Sequence, residues 1–217
     1  MFVGHFGIGL GLKRVDPKIS LGTLFLAAQF IDLLWPSLLL LGLEHVEIAP
    51  GITRVTPLDF THYPISHSLL AVVGWSLLFA LAYQLLRRER RGATICGLAV
   101  MSHWLLDLVT HRPDLPLYPT GEILVGLGLW NSLWLTLAVE LPLFLIGARL
   151  YLCGTHARDR IGSLGLWGLL GFLSLVYISN LFGPPPTSAA ALAWVGQAQW
   201  LLIAWGYWVD SHRYSTS

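Results

Sequence analysis

Apolar residues fall in long blocks along this chain and do not alternate. Segments such as LGTLFLAAQFIDLLWPSLLL, HSLLAVVGWSLLFALAYQLL and GATICGLAVMSHWLLDLVTH run for a membrane thickness with few charges. A helix needs about 20 residues to cross a hydrocarbon core of about 30 Å. The pattern predicts six spans, near 19–42, 67–86, 93–111, 126–149, 161–182 and 191–210, joined by short polar links. The dozen mostly apolar residues before Lys13 are too few to span. They predict a short helix dipping into the bundle, with the glycines of GHFGIGLG allowing close packing. The expected fold is an all-α polytopic transmembrane helix bundle, a single integral membrane domain over 1–217.

Composition agrees with the pattern. Hydrophobic residues make up 55% of the chain and charged residues 12%, against about 25% charged in soluble domains. A net charge of +1, with no basic run outside short loops, argues against nucleic acid as a partner. Membrane lipids are the expected surroundings, and the oligomeric state stays open. Cys96 and Cys153 lie far apart with no CxxC spacing, so any metal falls to His and carboxylate. No positive n-region precedes the first apolar stretch, so a cleaved signal peptide is not expected.

The basic residues orient the bundle. Lys13, Arg14, Lys18, Arg87, Arg88, Arg90, Arg91, Arg149, Arg158, Arg160 and Arg213 fall in one alternate set of loops, and only Arg54 and Arg112 in the other. Positive charge is retained on the cytoplasmic side, so both termini are expected there. The segment 43–66 is then the longest external connection. The prolines of GPPPTS at 183–188 mark a tight external turn, and Trp35, Trp130, Trp194, Trp205 and Trp208 near span ends read as interfacial anchors.

Against this background the polar residues inside spans stand out. In SHWLLDLVTHRPD, His103, Asp107 and His111 recur at i, i+4 and i+8, so a helix places them on one face. An Asp mid-span costs roughly 2.5–3.5 kcal/mol on insertion scales and calls for a partner. With the inferred topology, Asp32 on the first span reaches a depth close to that of Asp107. His62, His67 and Ser68 lie at the level of His111, in the outer half of the membrane. Such a layer suits Zn²⁺, or Mn²⁺ or Fe²⁺ with more oxygen ligands. The other reading is polar glue, in which His103 and Asp107 bond each other and their neighbours. Glu140 is a second buried carboxylate, read as ligand, general base or packed carboxyl. It and Asn131 can share a site only if 126–131 is unwound. His5 reads as a ligand or a packed histidine, its expected cytoplasmic entry being in tension with an outer-half site.

GHFGIG, FIDLLWP, FTHYPISHSLL and AVMSHWLLDLVTH, taken in order, resemble the successive motifs of a bacterial inner-membrane family described as metal-dependent hydrolases and related to the LexA-binding inner-membrane protein. That family shows GH near the start, then PDID, HRGxTHS and SHxxxDxxT. The resemblance covers roughly residues 4–119, leaving 120–217 as additional transmembrane helices. It implies an inner-membrane location and His5, Asp32, His62, His67, His103 and Asp107 as the metal site. Leu34 stands where the family has its second Asp. Tyr63 and Pro64 replace the Arg and Gly of HRG, and Ser66 the Thr. One lost carboxylate implies one metal where the family pattern would hold two, with Arg112 as a stand-in for the lost Arg.

The expected activity is metal-dependent hydrolysis of a lipid or lipid-linked phosphoester. The cation lowers the pKa of water toward about 7 and polarises the phosphoryl or acyl oxygen. Glu140 or His111 would act as general base, and Arg112, Tyr118 and Ser68 would hold the substrate. The alternatives are an ion or metal transporter using the same cluster, for which no discontinuous helix pair or repeated half is visible in the sequence, and a non-catalytic metal-stabilised scaffold.

Overall fold

A computed structural model describes residues 1–120 and 122–216. Helix α1 (Val3–Val15) lies inside the bundle, with α2 (Leu21–Ala28) and α3 (Phe30–Leu40) after it. Strands β1 (His45–Ile48) and β2 (Leu58–His62) pair as a hairpin, and α4 (Pro64–His67) is one turn. The long helices α5 (Leu69–Arg87), α6 (Arg90–Thr110), α7 (Leu133–Gly154) and α8 (Arg160–Phe182) follow. Then come α9 (Ala189–Gln197) and α10 (Gln199–Ser211). Two short hairpins complete it, β3 (Leu115–Pro116) with β4 (Leu124–Val125), and β5 (Thr155–Ala157) with β6 (Arg213–Ser215).

Among the described residues, only α5, α6, α7 and α8 are each long and apolar enough to cross a membrane, and a fifth crossing is reached if the bent pair α2–α3 counts as one. The expected six unbroken spans need correction. The first is split at Gln29, where α2 and α3 meet at 56°, and the last is split at Ala198 into helices of nine and thirteen residues. The two split segments pack on each other, α2 along α10 and α3 along α9. The fourth span begins at Leu133, because Gly126 and Gly128 take positive φ and residues 129–131 form a 3-10 turn.

Helix starts are capped where the sequence supplies short polar side chains. Ser20, Ser68, Glu89, Ser132, Asp159 and Ser188 each accept a backbone N–H of the helix that follows. Asp159 accepts from Gly162 N–H and lies beside His212, and these bonds hold its carboxyl below its ordinary value.

Helix α1 is packed against α7 at unusually short range. A Cβ on Gly147 would lie 2.0 Å from the Gly7 carbonyl oxygen, and one on Gly7 would lie 2.6 Å from the Leu143 carbonyl. Only glycines let these backbones meet. Val3, Phe6 and Leu10 are fully buried in one core with Phe25, Tyr151 and Leu169. A second core, with Ile31, Trp35, Val72, Val100 and Trp104, surrounds the polar layer described next.

Candidate metal centre

Five of the six expected ligands converge. Asp107 sits in the last turns of α6 and His103 one turn below it, while His67 ends α4 and Asp32 opens α3. His103 Nε2 lies 3.2 Å from Asp107 Oδ2 and 3.5 Å from Asp32 Oδ1. His67 Nε2 lies 3.6 Å from Asp32 Oδ1 and 3.8 Å from Asp107 Oδ2. Four donor atoms sharing one tetrahedral cation at about 2.1 Å would stand about 3.4 Å apart. Asp32, His67 and His103 offer donor atoms that all lie within 4.8 Å of one another, and so do His5, His103 and Asp107, so each set of three fits a divalent ion in spacing and chemistry.

Proton accounting points the same way. His103 Nδ1 is 2.9 Å from the Ala28 carbonyl, which can only accept, so that nitrogen carries the proton. If the ring is neutral, it turns a lone pair at Nε2 toward two carboxylates, and Nε2 has no hydrogen-bond partner. For His67, Ser66 Oγ donates to Glu44 Oε2 at 2.6 Å and therefore accepts from His67 Nδ1–H at 2.6 Å. His67 Nε2 is again a lone pair facing acceptors. Imidazole nitrogens set this close to carboxylate oxygens need either a cation between them or a second proton on each ring.

His5 enters by a route the charge pattern did not suggest. Helix α1 starts deep in the bundle and descends toward the basic end, so its first turn, not its last, meets the cluster. The His5 ring stacks on His103 with centroids 3.7 Å apart and planes 5° apart. Its Nε2 is 3.2 Å from Asp107 Oδ1, the oxygen turned away from His67. The Met1 amino group donates to the same oxygen at 2.7 Å.

The remaining expected residues fall elsewhere or in other roles. His62 is exposed on β2, paired across the hairpin with His45, because β2 carries it away from the bundle. Glu140 is buried and accepts from Phe2 N–H at 3.1 Å, which places its carboxylate at the start of α1. Asn131 is exposed. Ser68 is buried as the cap of α5, accepting from Ala71 N–H. Tyr118 is 48% exposed. His111 leaves the helical face it was expected to share, since α6 ends at Thr110 and His111 is extended. Its ring nevertheless lies 6.5 Å from that of His67, centroid to centroid.

Around His111 a second polar group forms. Asp114 Oδ1 accepts from His111 Nδ1–H at 3.0 Å and from the Tyr63 hydroxyl at 3.2 Å. Burial first, and the Asp114 carboxylate next, hold the Tyr63 phenol well above its ordinary value, so it stays a donor. Arg112 is bound to Asp114 at 3.2 Å and Asp59 at 2.6 Å, beside the Tyr63 that replaces the motif arginine. Trp130 and Phe60 cover His111 at 4.4 and 4.7 Å between centroids. Trp130 and Trp35 are both buried and line this region, which corrects their reading as interfacial anchors. Trp194 and Trp208 are exposed.

Two participants carried no signal strong enough to single them out. Glu44 looked like one of several loop acids, yet it is 1% exposed and accepts from Ile65 N–H, Ser66 N–H and Ser66 Oγ. Gln29 is fully buried at the α2–α3 break with neither amide atom partnered. A helix N-terminus in the HYPISH motif, where Pro64 opens a turn that needs an acceptor, is the one clue that an acid must dock there.

Residues 3–183 match the family model described as YdjM inner membrane protein. No curated protein and no solved structure matches the chain.

Proposed function

Since the chain belongs to the YdjM inner membrane protein family, and its bundle encloses a His/Asp cluster, we propose that it is an integral-membrane metal-dependent hydrolase. His67, His103, Asp32 and Asp107 would hold one divalent cation, with Zn²⁺ favoured by two imidazoles and two carboxylates. The observation that carries the reading is the pair of Nε2 lone pairs aimed at the two carboxylates, each fixed by a proton committed elsewhere at Nδ1. When bound, the cation supplies Lewis acidity toward a phosphoryl or acyl oxygen and acidifies water.

The protein residues divide the remaining work. His111, its Nδ1–H given to Asp114, keeps Nε2 as the base that takes a proton from the attacking water. His5 braces Asp107 from the far side. Glu140 fixes the start of α1 and so the position of His5. Of the four donors, Asp32 alone is appreciably exposed, its side chain at 23% against 3% or less for the others, so substrate approaches from the α3 side. An approach within the membrane favours a lipid or lipid-linked phosphoester. The inner membrane is then the working location, and the basic end, which carries the C-terminal strand β6 but not the buried Met1 amino group, faces the cytoplasm.

One observation favours a second reading, an ion carrier. The break between α2 and α3 frees the Ala28 carbonyl beside the cluster and packs against another broken pair, which is how carriers build midplane ion sites.

The test is metal content by elemental mass spectrometry on detergent-purified protein, wild type beside His103→Ala and Asp107→Ala. About one equivalent of zinc, manganese or iron, lost in both variants while they remain monodisperse, is expected. Metal-free wild type under chelator-free conditions would mean that a second proton on each imidazole fills the gap, and the hydrolase reading fails. Turnover of lipid phosphoesters against cation uptake in proteoliposomes then separates hydrolase from carrier.

A further inference from the structure

Away from the cluster, toward the basic end, α2 and α5 both lie against α6 and diverge in front of it. The furrow between them, closed on one side by Tyr207 of α10, has a volume of about 630 Å³. On α5 its wall is a single helical stripe, with Trp75, Phe79, Tyr83 and Leu86 stacked one turn after another down to Arg87. Leu26 and Phe30 face them from α2 and the start of α3. Val72 is the only buried residue of α5; Trp75 and Phe79 touch Phe30 at the floor of the furrow, while Leu78, Ala82 and Leu86 along it are exposed.

The polar groups of the furrow collect at one end. Lys18 and Arg87 flank it there, with the hydroxyls of Ser20, Thr23 and Tyr207 joined in a chain at 2.9 and 2.8 Å. Lys13 and Arg91 of the same end are paired with Asp210 and Asp16, whereas Lys18 and Arg87 make no ion pair among the described residues. The nearby acids are occupied: Asp16 accepts from Lys18 N–H, and Glu89 caps α6 through Arg91 and Gly92.

Length decides what fits. From Trp75 to Arg87 the stripe runs about 18 Å at 1.5 Å per residue, close to the roughly 15 Å of one leaflet. We propose that this furrow is a binding site for one anionic phospholipid of the leaflet at the basic end, its acyl chain along the α5 stripe and its phosphate between Lys18 and Arg87. The hydroxyl chain keeps one further proton free to donate to a phosphate oxygen. Two unpaired cations at headgroup depth select against a zwitterionic lipid, whose own ammonium would meet them. The site is separate from the His/Asp cluster and stands whether or not that cluster binds metal.

The experiment is native mass spectrometry of the full chain released from vesicles of equimolar phosphatidylglycerol and phosphatidylcholine. Wild type should carry one phosphatidylglycerol in preference to phosphatidylcholine by about thirtyfold, each basic group contributing roughly fivefold. Lys18→Ser with Arg87→Ser should lose the preference, and Ala82→Trp, which fills the wall, should lower retention of both lipids. All variants should keep the wild-type melting temperature and metal content. Equal retention of the two lipids by wild type, or a preference that survives the double substitution, overturns the proposal. So does displacement of the lipid by glycerol phosphate at equal concentration, because the apolar wall would then contribute nothing.

Discussion

Glu44 acts on the proposed metal centre through a proton that it does not itself bind. Its carboxylate takes the Ser66 hydroxyl proton, which obliges Ser66 to accept from His67 Nδ1 and leaves Nε2 bare. In Glu44→Gln an amide facing Ser66 would donate, the Ser66 proton would swing to His67 Nδ1, and the ring would carry its proton at Nε2 instead. Partners of this kind are typically worth 10–100-fold in metal affinity. A loss of that order is expected in a chelator-competition titration, with little change in melting temperature because the Ile65 and Ser66 amides keep their acceptor. Wild-type affinity in Glu44→Gln would show that the tautomer is not set this way. At this scale the sequence was informative about residue type and poor about direction. His103, Asp107 and His67 are conspicuous because apolar neighbours surround them, whereas Glu44 is one acid among Glu47 and Asp59 in a polar loop. Burial alone distinguishes it.

Helix α1 shows what the same limit does to an element. Glycine spacing predicted close packing, and the partner turned out to be α7 through Gly7 and Gly147. Gly147→Val would set a side chain against the Gly7 backbone, which cannot rotate away, so α1 must shift. Overpacking of this kind costs typically 1–3 kcal/mol. A lower melting temperature in detergent is expected, together with looser metal binding because His5 moves off Asp107. Unchanged values for both would mean that α1 is not held by this crossing. The broken helices mark the opposite case. Nothing in FLAAQFIDL signals a stop, since Gln and Phe are tolerated in helices, and hydropathy runs through the break without a dip. The break is stabilised from outside, by His103 donating to the Ala28 carbonyl that the interruption frees.

Over the whole molecule, the basic end is tied together by Asp210. Its carboxylate accepts from Lys13 Nζ at 2.8 Å, Leu21 N–H at 3.0 Å and Tyr151 OH at 2.8 Å, joining α1, α2, α7 and α10. Asp210→Ala leaves the Lys13 ammonium, 7% exposed, without its counter-ion. Removing one partner of a buried pair costs about 3 kcal/mol, and a marked fall in melting temperature is expected. The metal content of the folded fraction should be unchanged, since Asp210 sits at the other end of the bundle. Retained stability would show that the chain is held chiefly by helix packing.

Hydropathy and the spacing of His and Asp were sufficient, without coordinates, for a helical membrane bundle with a polar layer and for most of the residues in that layer. Both signals are local: a run of apolar side chains must leave water, and an isolated ionisable group inside it must find a partner. Where the chain breaks, which face of α1 meets the layer, and which nitrogen of each histidine is free were decided by contacts between residues far apart in sequence. His103 meets Ala28, Glu44 meets Ser66 and Glu140 meets Phe2. A hydrogen bond across such separations leaves no periodicity along the chain, so only the tertiary structure could assign it.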